Sequence, residues 1–357
     1  MRSSRYLLLV AATFLGLIAL SVVDAWLQID TPTRNGAYSC AYIAGKVAAG
    51  TGITAPKIVI SSGSNALMGI DAKVLTHALN VRVFNFGLAA SFGPGFQTFE
   101  AHKILRPGDA ALLPLEYLAY DYTTPRDALV DAVYTCGFDY WHTLDLRQKA
   151  FFVLAAKPQR LVDSILFRRR PGLEQRTVAN AWHDVGPYGE GPETGAHKVD
   201  TRGIPVGTHW PLAIHLDEQS PGARAIASFV AWAKANRVSV FATWPTTLYF
   251  DQYRTDPVFD SIRRFYEKLG VPVINTPEEA MFPQSQMADT IYHLNPTGKA
   301  LRTERLLRGL RADPAFVAWW LTAKERAGKF DVSNNSLHPL AEVSASSSLK
   351  TKAPLNR

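Results

Sequence analysis

The chain has 357 residues, 47% of them hydrophobic, 11% aromatic and 19% charged. That is enough apolar material for one large domain or two ordinary ones, and too little charge for wholesale disorder. The formal charge of +7 comes from scattered Lys and Arg, with one tight cluster at Arg168, Arg169 and Arg170; the basic stripe with interleaved aromatics that nucleic-acid binding needs is absent, and the charge suits anionic lipid, a polyanionic polysaccharide or a plain basic enzyme.

Arg2 and Arg5 precede an uncharged run over 6–23, a positive flank and an apolar segment just long enough to cross a bilayer. The run exceeds an ordinary signal core, so 1–27 reads as an uncleaved signal-anchor, basic end inside. The expected location is the cell inner membrane, single-pass, with the bulk of the chain in the periplasm or otherwise extracytoplasmic. Val23-Asp24-Ala25 has the form of a cleavage site, and secretion after cleavage is the alternative. In an oxidising compartment Cys40 and Cys136 either pair or remain two buried thiols.

Residues 28–55 form a Gly/Ala/Thr-rich approach segment to which no element is assigned. Strand and helix patterns then alternate. A buried strand is expected over 57–61, a helix over 65–79, a second strand over 81–86, a helix over 94–105 and a third strand over 109–115. Continuous apolar strands between helices point to an α/β fold with a mainly parallel sheet covered on both faces. An insertion over about 124–220 interrupts the alternation: 124–170 is mainly helical with Pro158 dividing it, and 171–220 is Gly-rich with little periodicity. Helices over 222–235 and 256–268 and strands over 238–244 and 271–275 follow. Asn295-Pro296 and Asp313-Pro314 each read as an N-cap and first helical residue. The domain spans 28–330, and the Ser/Asn/Ala-rich tail at 331–357 is expected to be disordered.

The junction "IVISSGSNALMGID" (58–71) poses the chemical question. Ser64 falls just past the end of the first strand, at the mouth of a helix, where doubly wound sheets bind ligands. Gly63 lets the backbone turn before it. A serine nucleophile needs a base, and "DTIYHLNPTG" (289–298) supplies His293 on the approach to a late helix, with Asp289 four residues upstream to hold its tautomer. Taken singly, Ser64 is a helix cap, His293 a structural or exposed histidine, Asp289 a loop acid and Gly87 a turn glycine. Their order along one sheet edge favours a site.

These residues resemble the SGNH (GDSL-like) hydrolase superfamily. Gly63-Ser64 matches its nucleophile block, Gly87 in "FNFGLAA" its oxyanion glycine, and Asp289 with His293 its last block, with one extra residue between them; "GID" (69–71) resembles a variant among membrane-anchored members. The resemblance implies an SGNH-like (flavodoxin-like) three-layer sandwich. The family's third block carries an asparagine that donates to the oxyanion; here "PLEYLAYD" (114–121) has Glu116 instead, which when ionised donates nothing. The oxyanion hole is then expected from the N–H groups of Ser64 and Gly87, with the Asn65 side chain as third donor; one lost donor costs on the order of 3 kcal/mol. Glu116 either orients a substrate or simply closes the strand, and with Trp244 it is the candidate lining of a substrate pocket. The anchored branch includes exopolysaccharide O-acetyltransferases and partners of membrane-bound O-acyltransferases. By that resemblance Ser64 passes an acyl group, acetyl above all, to an extracytoplasmic polysaccharide, alone or beside a membrane-bound O-acyltransferase or export-complex partner, with no cofactor. An esterase with the same triad, and a degenerate binding subunit, are the alternatives.

His183, His197, His209 and His215 cluster in or beside the Gly-rich insertion, but their irregular spacing does not make a metal site. Trp182, Tyr188 and Trp210 either stack on sugar rings or pack the insertion. "ILFRRRPG" (165–172) ends an amphipathic helix, and is either a solvated end or a surface for membrane or a membrane partner.

Overall fold

The computed structural model describes residues 2–54, 56–190 and 216–327. The tail at 331–357 and His197, His209, Trp210 and His215 lie outside the described residues.

Helix α1 (Arg2–Leu27) carries the apolar run and α2 (Arg34–Gly52) follows it. Then come β1 (Lys57–Ile60), α3 (Ser64–Gly69), α4 (Ala72–Leu79), β2 (Arg82–Asn85), α5 (Gly93–His102) and β3 (Ala110–Leu113). The insertion supplies α6 (Asp127–Thr135), α7 (Phe138–Thr143), α8 (Leu146–Ala155), α9 (Pro158–Arg168) and α10 (Leu173–His183). Alternation resumes with α11 (Pro221–Ala235), β4 (Ser239–Thr243), β5 (Thr247–Leu248), α12 (Pro257–Lys268), β6 (Val273–Ile274), β7 (Met281–Phe282), α13 (Pro296–Ala312) and α14 (Pro314–Ala327).

The main sheet has the order β2-β1-β3-β4-β6, every pair parallel, and β5 pairs with β7 beside it. This is a doubly wound order in which the direction of strand addition reverses between β1 and β3. Both faces are covered, which is why the strands read as unbroken apolar runs. Val59, Phe84, Ala111 and Leu113 meet Phe96 of α5, Phe229 of α11 and Ile262 of α12 on one side. Ile58, Ile60, Val83 and Leu112 meet Ala66 of α3, Leu75 of α4, Leu306 of α13 and Phe316 of α14 on the other. At the base of the sheet the fully buried Lys57 pairs with Asp109 at 2.8 Å.

Three expectations are corrected. The approach segment at 28–55 contains the 19-residue α2, N-capped by Thr33. Its buried residues are mostly small, because α6 and α10 approach it closely: a Cβ on Gly36 would lie 2.2 Å from Thr135 Oγ1, and one on Gly45 3.1 Å from Val185 Cγ2. A helix buried through glycine and alanine leaves no apolar stripe to read. The single helix expected over 65–79 is two, because Asp71 accepts the Val74 N–H at 2.8 Å and starts α4 afresh. The stretch 171–220, expected to be irregular, contains α10. Cys40 on α2 and Cys136 after α6 form a disulfide across 96 residues, with Cα atoms 6.1 Å apart. Over Arg5–Leu27, α1 is long and apolar enough to span a membrane or serve as a signal, and its most apolar stretch is not covered by the rest of the fold.

Candidate active site

Past the end of β1 the ladder continues: Ser61 N–H donates to Leu112 O at 2.9 Å, and Leu88 N–H to Ser62 O at 2.9 Å. The chain is thus held between its neighbours up to the turn that starts α3. The N-cap of α3 is Gly63, which has no side chain to cap with, and Ser64 is the first helical residue. The Ser64 hydroxyl is therefore not a cap.

Under this turn lies Glu116, 3% exposed, just past β3. Its carboxylate accepts the N–H of Gly63 at 3.1 Å and that of Asn65 at 3.2 Å. Gly63 is obligatory here: a Cβ would fall 2.1 Å from Glu116 Oε1. Two backbone donors replace the water a buried carboxylate gives up, so Glu116 fixes the geometry of the turn that carries Ser64.

His293 sits on a tight loop closed at its base by the Met287–Leu294 bridge and by Asn295 N–H to Gln286 O at 2.9 Å. Within it Ala288 N–H donates to His293 O at 2.9 Å. The fold-back puts Asp289 beside His293 despite the residue between them that the family pattern lacks. Asn295 caps α13 by accepting the Gly298 N–H. His293 Nδ1 lies 2.7 Å from Asp289 Oδ1 and Nε2 lies 2.8 Å from Ser64 Oγ. With the carboxylate accepting from Nδ1–H, Nε2 is left to accept the serine proton. The His293 side chain is 18% exposed and that of Asp289 49%. Residues 229 positions apart thus join in one relay at the C-terminal edge of the sheet.

The other expected roles are redistributed. The Asn65 side chain, 1% exposed, turns inward and donates to Ser62 Oγ at 2.9 Å and Pro114 O at 3.0 Å, so it is not an oxyanion donor. Gly87 N–H donates to Asn85 Oδ1 at 3.0 Å. Gly87 nevertheless abuts the serine turn: a Cβ there would lie 3.0 Å from both Gly63 O and Leu67 N. Ser64 N–H, first of the helix, has no intrahelical acceptor and remains the donor at hand. Glu116 lies beneath the turn rather than in a pocket. Trp244 is 1% exposed, donates Nε1–H to Asn275 O and meets Phe259 edge-on, so it belongs to the core.

A cavity of about 820 Å³ opens at Ser64. Leu67, Met68, Leu88, Phe92 and Leu294 give it apolar walls. Tyr38 and Tyr42 of α2 form another wall, their rings stacked with centroids 6.1 Å apart, and the Tyr38 hydroxyl donates to Asp184. Trp182 packs on Gly45 of α2, and Arg82 lies over the Tyr188 ring, so both aromatics serve packing. His183 is exposed at the end of α10, and the described residues hold no cluster suited to a metal.

One residue was not visible from sequence. Lys46 of α2 is fully buried and donates to Asn85 O at 3.1 Å and Gly87 O at 2.6 Å, binding α2 to the loop beside Ser64. Burial pushes its ammonium down to about 7, partly opposed by Glu190. A lone lysine in a Gly/Ala stretch gives no signal of this.

Compared with protein-family models and with curated proteins, the chain matches none.

Proposed function

We propose that this protein is a membrane-tethered, serine-dependent acyltransferase of the SGNH type that moves an acyl group, most simply acetyl, onto a hydroxyl of an extracytoplasmic polysaccharide. The single observation that carries the reading is the Ser64–His293–Asp289 relay, 2.8 Å and 2.7 Å, beside a cavity at the sheet edge. His293 Nε2 takes the Ser64 proton as Oγ attacks the ester carbonyl of the donor. Ser64 N–H stabilises the oxyanion, and the intermediate collapses as the donor alcohol leaves with the proton from His293. In the second half a sugar hydroxyl gives its proton to His293 and attacks the acyl-serine; Ser64 recovers its proton on release. With water as acceptor the same steps make an esterase.

The test is turnover of a chromogenic acetyl ester by the detergent-solubilised chain, with and without glycan. Faster ester consumption on adding glycan, with acylated sugar formed, supports transfer; consumption unchanged by glycan supports the esterase. Both must vanish in Ser64→Ala. A second reading, a binding subunit with a degenerate site, draws on Gly87 and Asn65 being engaged elsewhere. It requires that Ser64→Ala leave polymer modification intact in cells, which would sink the catalytic reading.

A further inference from the structure

We propose that the outer faces of α8 and α9, with the arginines that end and follow α9, rest on the lipid surface of the bilayer that α1 enters. The inference rests on α1 being a retained membrane anchor.

The apolar residues on these helices are arranged for contact, and nothing in the described fold covers them. On α9, Val162, Ile165 and Leu166 fall on one face and are exposed, whereas Arg160, Ser164 and Phe167 on the opposite face are buried. On α8, Leu146 and Leu154 are 86% and 68% exposed, with exposed Ala150 between them at the same four-residue spacing. Residues at i, i+3, i+4 and i+8 share a face. Exposed Arg168, Arg169 and Arg170 continue the surface, and Arg168 spends an N–H on the neutral carbonyl of Asp30 at 2.9 Å, leaving its charge uncompensated by that contact.

Position selects the occupant. The residues directly after α1 are bolted to α9. Arg160 donates to Gln28 O at 3.1 Å and to Thr31 O at 2.9 Å, while its Nε pairs with Asp131 at 2.8 Å. Gln28 in turn donates to Lys157 O at 3.2 Å. Leu27 is the last residue of α1, and the exposed Trp26 beside it is the amphipathic ring that favours headgroup level. Residues 28–31 therefore leave the membrane at the interface, and a network of buried guanidinium bonds holds α9 to them. An apolar face flanked by arginines at that height matches the two requirements of an interfacial helix, buried aliphatic area and attraction to anionic headgroups. One consequence concerns the site. α2 starts a few residues beyond this junction, so the Tyr38–Tyr42 wall of the cavity stands one to two helical turns from the lipid-side end of α2.

The experiment uses the full chain reconstituted in phosphatidylcholine vesicles with and without phosphatidylglycerol. The two native cysteines are bonded to each other, so a single added cysteine takes a fluorescent probe selectively. Leu154→Cys and Ile165→Cys test the face, and Leu321→Cys on the exposed face of α14 is the control. Expected are blue-shifted emission and severalfold stronger quenching by lipid-borne bromines at 154 and 165 than at 321. Changing Arg168, Arg169 and Arg170 to Glu should weaken that quenching in the anionic vesicles. Probes at 154 and 165 as water-exposed as 321, in protein that floats with the vesicles, overturn the inference while leaving the anchor standing. A chain that does not float with vesicles overturns both. Probe burial that grows with protein concentration without bromine quenching identifies a second copy or a protein partner, and equally overturns it.

Discussion

Glu116→Gln is the substitution that most directly tests how Ser64 is held. Oε2 accepts Gly63 N–H at 3.1 Å and Oε1 accepts Asn65 N–H at 3.2 Å. A glutamine has the same shape but a single oxygen. One N–H keeps an acceptor that has lost its charge; the other meets an amide N–H and is left without a partner in a site 3% exposed. A hydrogen bond to a charged group contributes about 1.5–3 kcal/mol, and an orphaned buried donor costs ~1–3 kcal/mol. The expected destabilisation is therefore about 2–4 kcal/mol, read as a lower urea midpoint at unchanged m-value in the detergent-solubilised protein. The turn would relax away from the strained donor pair, moving Ser64 relative to His293. A displacement of about 1 Å can cost ~10²-fold in rate, so kcat on a small acetyl ester should fall with KM little changed. Glu116→Asp keeps the charge but retreats by a methylene and should lie between the two. If Glu116→Gln unfolds within about 0.5 kcal/mol of the parent and retains its kcat, the carboxylate does not set the turn and the reasoning fails.

Asp289→Asn should preserve the fold, because the carboxyl is half exposed, yet lower kcat by about 10²–10⁴-fold as the imidazole loses its tautomer partner; ester turnover beside an unchanged urea midpoint checks it. Replacing Cys40 and Cys136 with Ser opens a 96-residue loop, for which chain entropy predicts a loss of about 4–5 kcal/mol, visible as the difference between oxidised and reduced parent protein and absent from the variant. The sign for Lys46 follows from burial pushing its folded value down to about 7. Between there and the ordinary lysine value of about 10.4 the unfolded chain binds a proton that the folded one lacks, so this residue makes stability rise with pH over that window. Lys46→Met should flatten that rise, by no more than about 4–5 kcal/mol between its ends, as measured by unfolding midpoints at several pH values; parallel pH curves for the two proteins would refute it.

The sequence carried the sheet and the relay because both depend on local signals. Runs such as "IVI" (58–60) and "AALL" (110–113) are apolar on both faces, as strands of a covered parallel sheet are, and Asn295-Pro296 announces the helix behind His293 through cap chemistry alone. Ser64 and His293 could be paired in advance because each sits at or just before the start of a helix on the sheet edge that the alternation fixes. Helix α2 was illegible for the opposite reason: its burial is a matter of close approach by α6 and α10, which no residue within 34–52 encodes by itself. From sequence Glu116 reads as lining a pocket or closing the strand, because it stands after the third strand, where the resembling family carries its third block. That it accepts N–H groups from a turn some fifty residues earlier is a property of the assembled sheet edge. The inward turn of the Asn65 side chain and the Asn85 acceptor of the Gly87 N–H were hidden similarly, since both depend on Pro114, Ser62 and Asn85.

The engaged donors bear on how fast such a site can be. Gly87 N–H is bonded to Asn85 Oδ1, whose amide also donates to Ala66 O at 2.9 Å, while Lys46 holds the Gly87 carbonyl from the other side. For that N–H to turn to an oxyanion, an ordinary internal hydrogen bond of about 1 kcal/mol is given up and Asn85 Oδ1 loses an acceptor contact. A developing oxyanion returns about 3 kcal/mol per donor. The exchange is unfavourable with substrate bound in its ground state and favourable by no more than ~2 kcal/mol as charge develops, so it acts on kcat alone and by at most about 30-fold. Asn65 offers no such exchange, because its backbone N–H is held by Glu116 and its amide by two buried acceptors. Most of the oxyanion stabilisation therefore falls on Ser64 N–H. If the site is catalytic, a hole resting on one donor slows attack by water and by a sugar hydroxyl alike, so the balance between them lies with the acceptor bound in the cavity.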